Sequence, residues 1–537
     1  MRQFRGSIFG SLNASIIKAL NLKALFCLLA LFFCCAGKVS AGSSVTVDAK
    51  SHSTFGHPSM ALVTADDKYV LVSLDCDVSK QLECAHTTPP ALPNESGVQV
   101  FDSDFNNPCG GQNIIGFPPP GGQAVTSVDG IEFLPAPQGV SVSAAVEQQG
   151  AEFFNLSDVK TCAIDGNRNI INVPQRPVQP PMSCSAQAGG CYPGSFRIAL
   201  TPNGNPGYAF VANEYGLKHL PPPNVNFGLG GTVGVIRVQR NSGGGFSPGT
   251  GSIEQNKNIY IPGADTIPGV TVSHDGQRLY VANENARQNE INKKTGNPYW
   301  DPTNVANAPN GGIQASQNCQ PGGLDKNGKP IEGQNNGLLT IIDVGRATRG
   351  GGQGSILVSI ASGCSPVRVV ETADGKYIWV ATRGLNLNLP GTQPGPGPGT
   401  SGYQVLAFDV SKLLSKSLND VNDALVGFGD SGGTAPVGLA LFNNDQMLAV
   451  ANSNRYFSKL PQPAGDTNVA ILDVSNPRTP TVIITIPPMP TSADMFPRDV
   501  TLGPTNVGDC LADLGCFTLY VPNFDANMLE VIKAQVN

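Results

Sequence analysis

Short runs of alternating or wholly apolar residues recur along the whole chain, separated by Gly, Pro, Asn and Asp. Alternation at period two marks a strand with one buried face, and a wholly apolar run fits a strand covered on both. The clearest example begins at 436: "PVGLALFNNDQMLAVANSN", then "TNVAILDVSNP", then "TVIITIPP". It predicts four strands in order, a (437–442), b (446–452), c (468–474) and d (481–487), with "NND" as a tight a–b turn. Helical periodicity is nearly absent. Only "DVSKLLSKSLNDVNDAL" (409–425) predicts a short helix.

The same a–b–c–d order appears six more times. The first unit is "HPSMALVTADDKYVLVSLD" (57–75), "GVQVFD" (97–102) and "NIIGFPP" (113–119). The second is 128–144, 151–158 and 169–174; the third is 195–214, 232–238 and "NIYIPG" (258–263). The fourth is "PGVTVSHDGQRLYVANE" (268–284), 337–344 and 355–361; the fifth is 366–383, 402–410 and 424–429. The unit from 436 is the sixth. The seventh, at 497–503, 517–523 and 528–533, lacks a d run. "SSVTVDAK" (43–50) is an unpartnered β-type run that can supply it. The expected fold is therefore all-β: a seven-bladed β-propeller of four-stranded antiparallel blades, its last blade closed by the N-terminal strand, which leaves no open edge.

The b runs "YVANE" (280–284), "FVANE" (210–214), "AVANS" (449–453), "WVATR" (379–383) and "YVPNF" (520–524) resemble the Tyr-Val-Thr-Asn repeat of surface-layer and lactonase-like propellers. The resemblance covers essentially all of 43–537. It implies the propeller fold. It is poor for function, because that superfamily joins lactonases, haem-binding domains and proteins without known chemistry.

The N-terminus reads as a targeting segment. Arg2, Arg5, Lys18 and Lys23 precede "ALFCLLALFFCCA" (24–36), and "VSA" (39–41) is a small-x-small cleavage site. This predicts a signal peptide over 1–41 and one propeller domain over 42–537. The protein would be secreted, periplasmic or on the cell surface, with no transmembrane segment after cleavage; an uncleaved anchor is the alternative. Five of the 34 Lys/Arg lie in 1–41, so 29 basic face 40 acidic side chains in the mature chain, a net charge of −11. That argues against nucleic acid as a partner.

Ten of the 13 cysteines remain after cleavage, and an even number in an exported chain predicts disulfides. The blade assignment pairs Cys76 with Cys84, Cys109 with Cys162, Cys184 with Cys191, Cys319 with Cys364 and Cys510 with Cys516.

The a–b turns are short, whereas the b–c connections at 75–96, 215–231, 285–336, 384–401 and 453–466 are long. Elaboration is thus concentrated on the face carrying the d–a and b–c loops, where function is expected. Each a strand begins near the central channel on that face. Aligning the units brings His57, Arg197, Arg368, Arg498 and Asp499 into one funnel, with Glu214 and Glu284 at b-strand ends. Converging guanidinium groups suit a carboxylate or phosphate. The alternative is that these charges pair with Asp129, Asp499, Glu214 and Glu284 and fill the channel. The Asn residues that end the b runs are expected to adopt left-handed backbone and bond locally.

No cofactor or metal is expected: there is no Cys-x-x-Cys-His, and the five histidines lack zinc spacing. "DSDFNN" (102–107) starts like a calcium loop but lacks its sixth-position Gly. "GDSGG" (429–433) matches the nucleophile run of chymotrypsin-like proteases. Seven repeated units leave no room for the two barrels such an enzyme needs, so it reads as a d–a connection beside the funnel, with Asp430 and Ser431 in reach of a ligand. Two functions remain. One is an exported module binding a protein, polysaccharide or small anion through the long-loop face and funnel. The other is a lactonase-like hydrolase using Arg, His and Glu in the funnel.

Overall fold

The computed structural model describes residues 44–75, 97–106, 114–115, 128–133, 141–146, 150–155, 169–172, 195–202, 207–213, 232–238, 252–253, 259–261, 264–286, 336–384, 404–415, 424–453, 468–487, 496–504 and 510–537. Residues 1–44 separate from Val45–Asn537 as a distinct unit. The signal peptide and Glu214 fall outside the described residues.

Antiparallel sheets form in chain order, one per unit. In the sixth unit Pro436–Phe442, Met447–Asn452, Val469–Asp473 and Thr481–Ile486 are strands a to d. The apolar b run is buried throughout, as a strand sandwiched between two packed sheets must be. Trp379, Val405, Val437, Leu448, Ile471 and Leu519 belong to one continuous core spanning the fifth, sixth and seventh units.

The a strands contact one another in sequence, from His57–Val63 through Val128–Phe133, Ser195–Leu200, Gly269–Val272, Pro366–Glu371 and Pro436–Phe442 to Thr501–Leu502, and the last returns to the first. Val45–Ser53 pairs antiparallel with Met528–Val536 over nine registered positions and supplies the missing d strand. The molecule is a β-propeller with antiparallel four-stranded blades.

The blade count corrects the expectation. Six sheets are four-stranded blades, not seven; the third unit forms a five-stranded sheet. Its outer position is divided between Ser252–Ile253 and Ile259–Tyr260, which both pair with Thr232–Val238. The Gly-rich stretch before 252 leaves no single apolar run long enough to cover that edge. A two-stranded ribbon, Ala264–Thr266 with Asn285–Ala286, adds to the fourth unit.

Of the expected helix over 409–425, residues 416–423 lie outside the described residues, and Leu425 begins strand d of the fifth unit. Among the described residues the helix is one turn, Val410–Leu413, whose first amides are capped by the Asp409 carboxylate. A comparable turn, Val344–Thr348, is capped by Asp343.

Three of the a–b turns, those of the first, fourth and fifth units, repeat atom for atom. In each, a hydroxyl donates to the Asp two residues on: Thr64 to Asp66 at 2.7 Å, Ser273 to Asp275 at 2.6 Å, Thr372 to Asp374 at 2.8 Å. The next residue is Asp67, Gly276 or Gly375, each at positive φ. Glycine fits that slot without strain, and Asp is among the few other residues that tolerate it.

The Cys510–Cys516 disulfide is formed, and Cys364 is disulfide-bonded. Cys76, Cys84, Cys109, Cys162, Cys184, Cys191 and Cys319 lie outside the described residues. No helix among the described residues is long and apolar enough to cross a membrane.

Candidate functional site

The funnel residues are aimed by a recurring irregularity. Strand a slips against strand b by one residue between Pro58 and Met60, Val128 and Gly130, Ser195 and Arg197, Pro366 and Arg368, and Pro436 and Gly438. The seventh unit does the same: Pro497 bridges Asn523 and Thr501 pairs with Tyr520, so one extra residue is accommodated. A β-bulge turns consecutive side chains away from strict alternation. Here it brings the residues at and just after the slip, Asp129, Arg197, Arg368, Arg498 and Asp499, to the upper end of the ring.

Arg197 Nη2 donates to Asp499 Oδ2 at 2.5 Å, and Arg368 Nε lies 3.4 Å from Asp499 Oδ1. Arg197 and Arg368 belong to the third and fifth units and Asp499 to the seventh, so these bridges cross the channel instead of following its wall. All three side chains are nearly buried, at 11%, 8% and 2% exposure. Arg498 turns the other way, to Asp75 Oδ2 at 3.2 Å and Asp129 Oδ1 at 3.8 Å in the first and second units. The acceptor expected from outside is thus largely supplied by the chain itself. Burial first, then the neighbouring Arg197, weakens the hold of Arg368 on its proton; a guanidinium so basic still stays charged at neutral pH.

Gly438 shows how tightly Asp499 is seated. A Cβ there would meet Val500 N at 2.6 Å and the Asp499 backbone at 2.7 Å.

His57 sits at the rim. Its ring stacks on Phe524 at 4.6 Å, and Nδ1 lies 2.8 Å from the Phe524 carbonyl oxygen. The Arg498 guanidinium lies over three rings, Phe524 at 4.5 Å, Phe196 at 5.2 Å and Phe496 at 5.3 Å. Cation–π attraction adds to its two ion pairs there. Glu284 is separate from this group. It pairs with Arg383, joining the b-strand ends of the fourth and fifth units in a buried bridge.

Glu132, Asp75 and the aromatic rings were not expected here. Glu132 lies further along its a strand, near Arg197 and Asp499. Burial pushes its pKa up to about 7, partly offset by Arg197. Its folded pKa is therefore above the ordinary 4.5, and the folded state holds the proton more tightly than the unfolded chain does. Through this group, stability falls as pH rises from about 4.5 to about 7 and is level above. We expect Glu132→Gln to narrow the difference in urea-unfolding free energy between pH 5 and pH 8. An unchanged difference would show that Glu132 is not the titrating group.

The b-strand asparagines do not use left-handed backbone: none of Asn213, Asn283, Asn452 and Asn523 has positive φ. They are buried cross-links instead. Asn283 Nδ2 donates to Leu338 O at 3.0 Å and Thr340 Oγ1 at 3.1 Å, tying b to c, and Asn213 Nδ2 donates to Thr232 Oγ1 at 2.9 Å.

"GDSGG" is a structural turn. Ser431 is fully buried, and its Oγ donates to Gly433 O at 2.9 Å. The Asp430 carboxylate accepts from Gly432 N at 2.7 Å, and Asn452 Nδ2 reaches Ser431 O at 3.2 Å. Gly432 has φ +73° and Gly433 packs on Asn452. Ser431 therefore cannot reach a ligand as its sequence position suggested. The calcium-like start at 102 is an Asx turn: Asp102 Oδ1 accepts from the amides of Asp104 at 2.9 Å and Asn106 at 2.8 Å.

No family model and no curated protein matches this chain. Among solved structures, the Myceliophteria thermophila Cps50 (Swd1) β-propeller domain is similar at 7% identity and TM-score 0.46, over 91% of this chain and 99% of that one. A chain of a mitotic checkpoint complex is similar at 10% identity and TM-score 0.43, over 92% and 97%. The propeller architecture of this chain stands on its own strand order and register, not on these likenesses.

Proposed function

We propose that this chain is an exported propeller of the Tyr-Val-Thr-Asn, lactonase-like type, with the five-stranded sheet as its seventh blade. It acts as an interaction module, engaging a protein or polysaccharide through the face that carries the d–a and b–c connections. The observation that carries this reading is the internal neutralisation of the funnel. Arg197 and Arg368 share Asp499, and Arg498 is divided between Asp75 and Asp129. Groups committed to one another hold the blades together and are costly to redirect toward a substrate. Contact area is left to the long connections, such as the one between Ala286 and Asn336.

The test uses the mature chain and a variant whose residues 287–335 are replaced by a short Gly-Ser linker. Both are applied to a polysaccharide array and to an extract of the producing cell's envelope. Binding lost on trimming but kept in Arg368→Ala supports the reading; binding indifferent to trimming sinks it. The hydrolase alternative retains one observation, the Glu132 carboxyl group held near Arg197 and pushed up to about 7 by burial. A lactone panel decides it: turnover abolished by Arg197→Ala and Arg368→Ala would replace the binding reading.

A further inference from the structure

A second polar cluster lies away from the funnel, between the sixth and seventh units. Glu530, on Met528–Val536, is fully buried. Its Oε2 accepts from Asn523 Nδ2 at 3.1 Å and from Asn468 Nδ2. Asn523 ends a b strand of the seventh unit. Asn468 opens the c strand of the sixth, where its carbonyl accepts from the Asn452 amide at 2.9 Å. Asn468 and Asn523 are as deeply buried as Glu530.

Two features meet in this cluster, the second of which Asn283 Oδ1 and Asn452 Oδ1 show singly elsewhere. No cation pairs with Glu530 in any ion pair among the described residues, unlike the buried Asp499 and Glu284. Glu530 Oε1, Asn468 Oδ1 and Asn523 Oδ1 also have no hydrogen-bond partner although all three are buried. Each unpartnered amide oxygen belongs to an amide whose nitrogen already touches Glu530, so covalent geometry keeps the three oxygens within a few ångströms of one carboxylate. Leaving a buried acceptor unsatisfied is destabilising, and more so for a charged one. Here three such acceptors lie around one carboxylate.

We propose that Glu530, Asn468 and Asn523 bind a hard metal cation, calcium or sodium, between the sixth and seventh units. Carboxylate and amide oxygens are the donors such ions take, and soft metals are disfavoured by the absence of sulfur or imidazole from the trio. The site joins the blade closed by Val45–Ser53 to its neighbour, so occupancy stabilises the ring where the chain ends meet. Burial alone pushes Glu530 up to about 7, and a bound cation would return it to the ionised form.

The test is thermal unfolding of the mature protein, stripped with EDTA and exchanged into N-methylglucamine buffer. Calcium and sodium are then added separately at constant ionic strength. We expect one of them to raise Tm in proportion to the logarithm of its concentration above Kd, with about 2.7 kcal/mol gained at a hundredfold excess. The response should vanish in Glu530→Gln. Asn468→Asp covers the case in which that variant does not fold. A second carboxylate should strengthen the calcium response at a cation site. Without a cation it would place two buried acids together, lowering Tm with no rescue by either ion. The proposal is overturned if neither ion raises Tm in the wild type, if Glu530→Gln responds equally, or if Asn468→Asp is destabilised and unrescued.

Discussion

Deleting residues 45–53 is expected to leave the chain unable to form a soluble closed ring. This segment pairs residue for residue with Met528–Val536, from Val45 opposite Val536 to Ser53 opposite Met528. Val45 is buried in the core shared by the fifth to seventh units, and Val47 and Ala49 pack against it. Without them the ladder edge of Met528–Val536 is open, and an unpaired strand edge is a template for association. The truncated protein should elute as aggregate on size exclusion. A synthetic peptide of residues 43–53 added during refolding should recover monomer, because an extended peptide can complete a sheet edge through main-chain bonds. A soluble truncated monomer with unchanged Tm would mean that the N-terminal strand is not what closes the propeller.

Asp499→Ala should be the most damaging single substitution in the funnel. Asp499 is 2% exposed and neutralises Arg197 and Arg368 from two other units. Removing it strands two guanidinium groups in a poorly solvated channel, for which a cost of about 3–5 kcal/mol is typical. Replacing all three by apolar residues of similar volume, Asp499→Leu with Arg197→Met and Arg368→Met, should recover most of that loss. The desolvation cost of the charges leaves along with their attraction. Denaturant unfolding of wild type, single variant and triple variant measures both. A loss below about 1 kcal/mol for Asp499→Ala would show that the channel is well hydrated and the bridge weak.

Much of this architecture is legible in the pattern of apolar runs. Strands a to d of the fifth and sixth units lie where alternation and turn residues put them, because buried middle strands must be apolar on both faces. The N-terminal donor strand is legible for a related reason: seven a–b–c runs leave one d run wanting. Edge strands are harder to read. One face and one ladder edge are free of constraint, so the divided outer position of the third unit carries little signal. At the funnel, Arg197, Arg368 and Asp499 fall into one slot of the aligned units and do meet. Their pairing across the ring could not be read from the slot alone, since a bulge decides which way each side chain turns. Asp75 closes a b run where the third and fourth units have Asn-Glu, and its link to Arg498 joins positions 423 residues apart. The asparagines kept their local role of binding neighbouring polar groups, but from extended backbone and across strands.

The antiparallel closure also has a mechanical consequence. Val45 and Val536 are partners, so a pull applied between the two ends of the domain acts at one edge of the sheet. The load falls on the first pair of the ladder, then the next, as in opening a zipper. It is never shared by all nine pairs at once, as it would be if the strands were dragged past each other lengthwise. A propeller held by its ends would therefore yield at low force from the Val45 side. One gripped at Ser53 and Val536 would resist in shear.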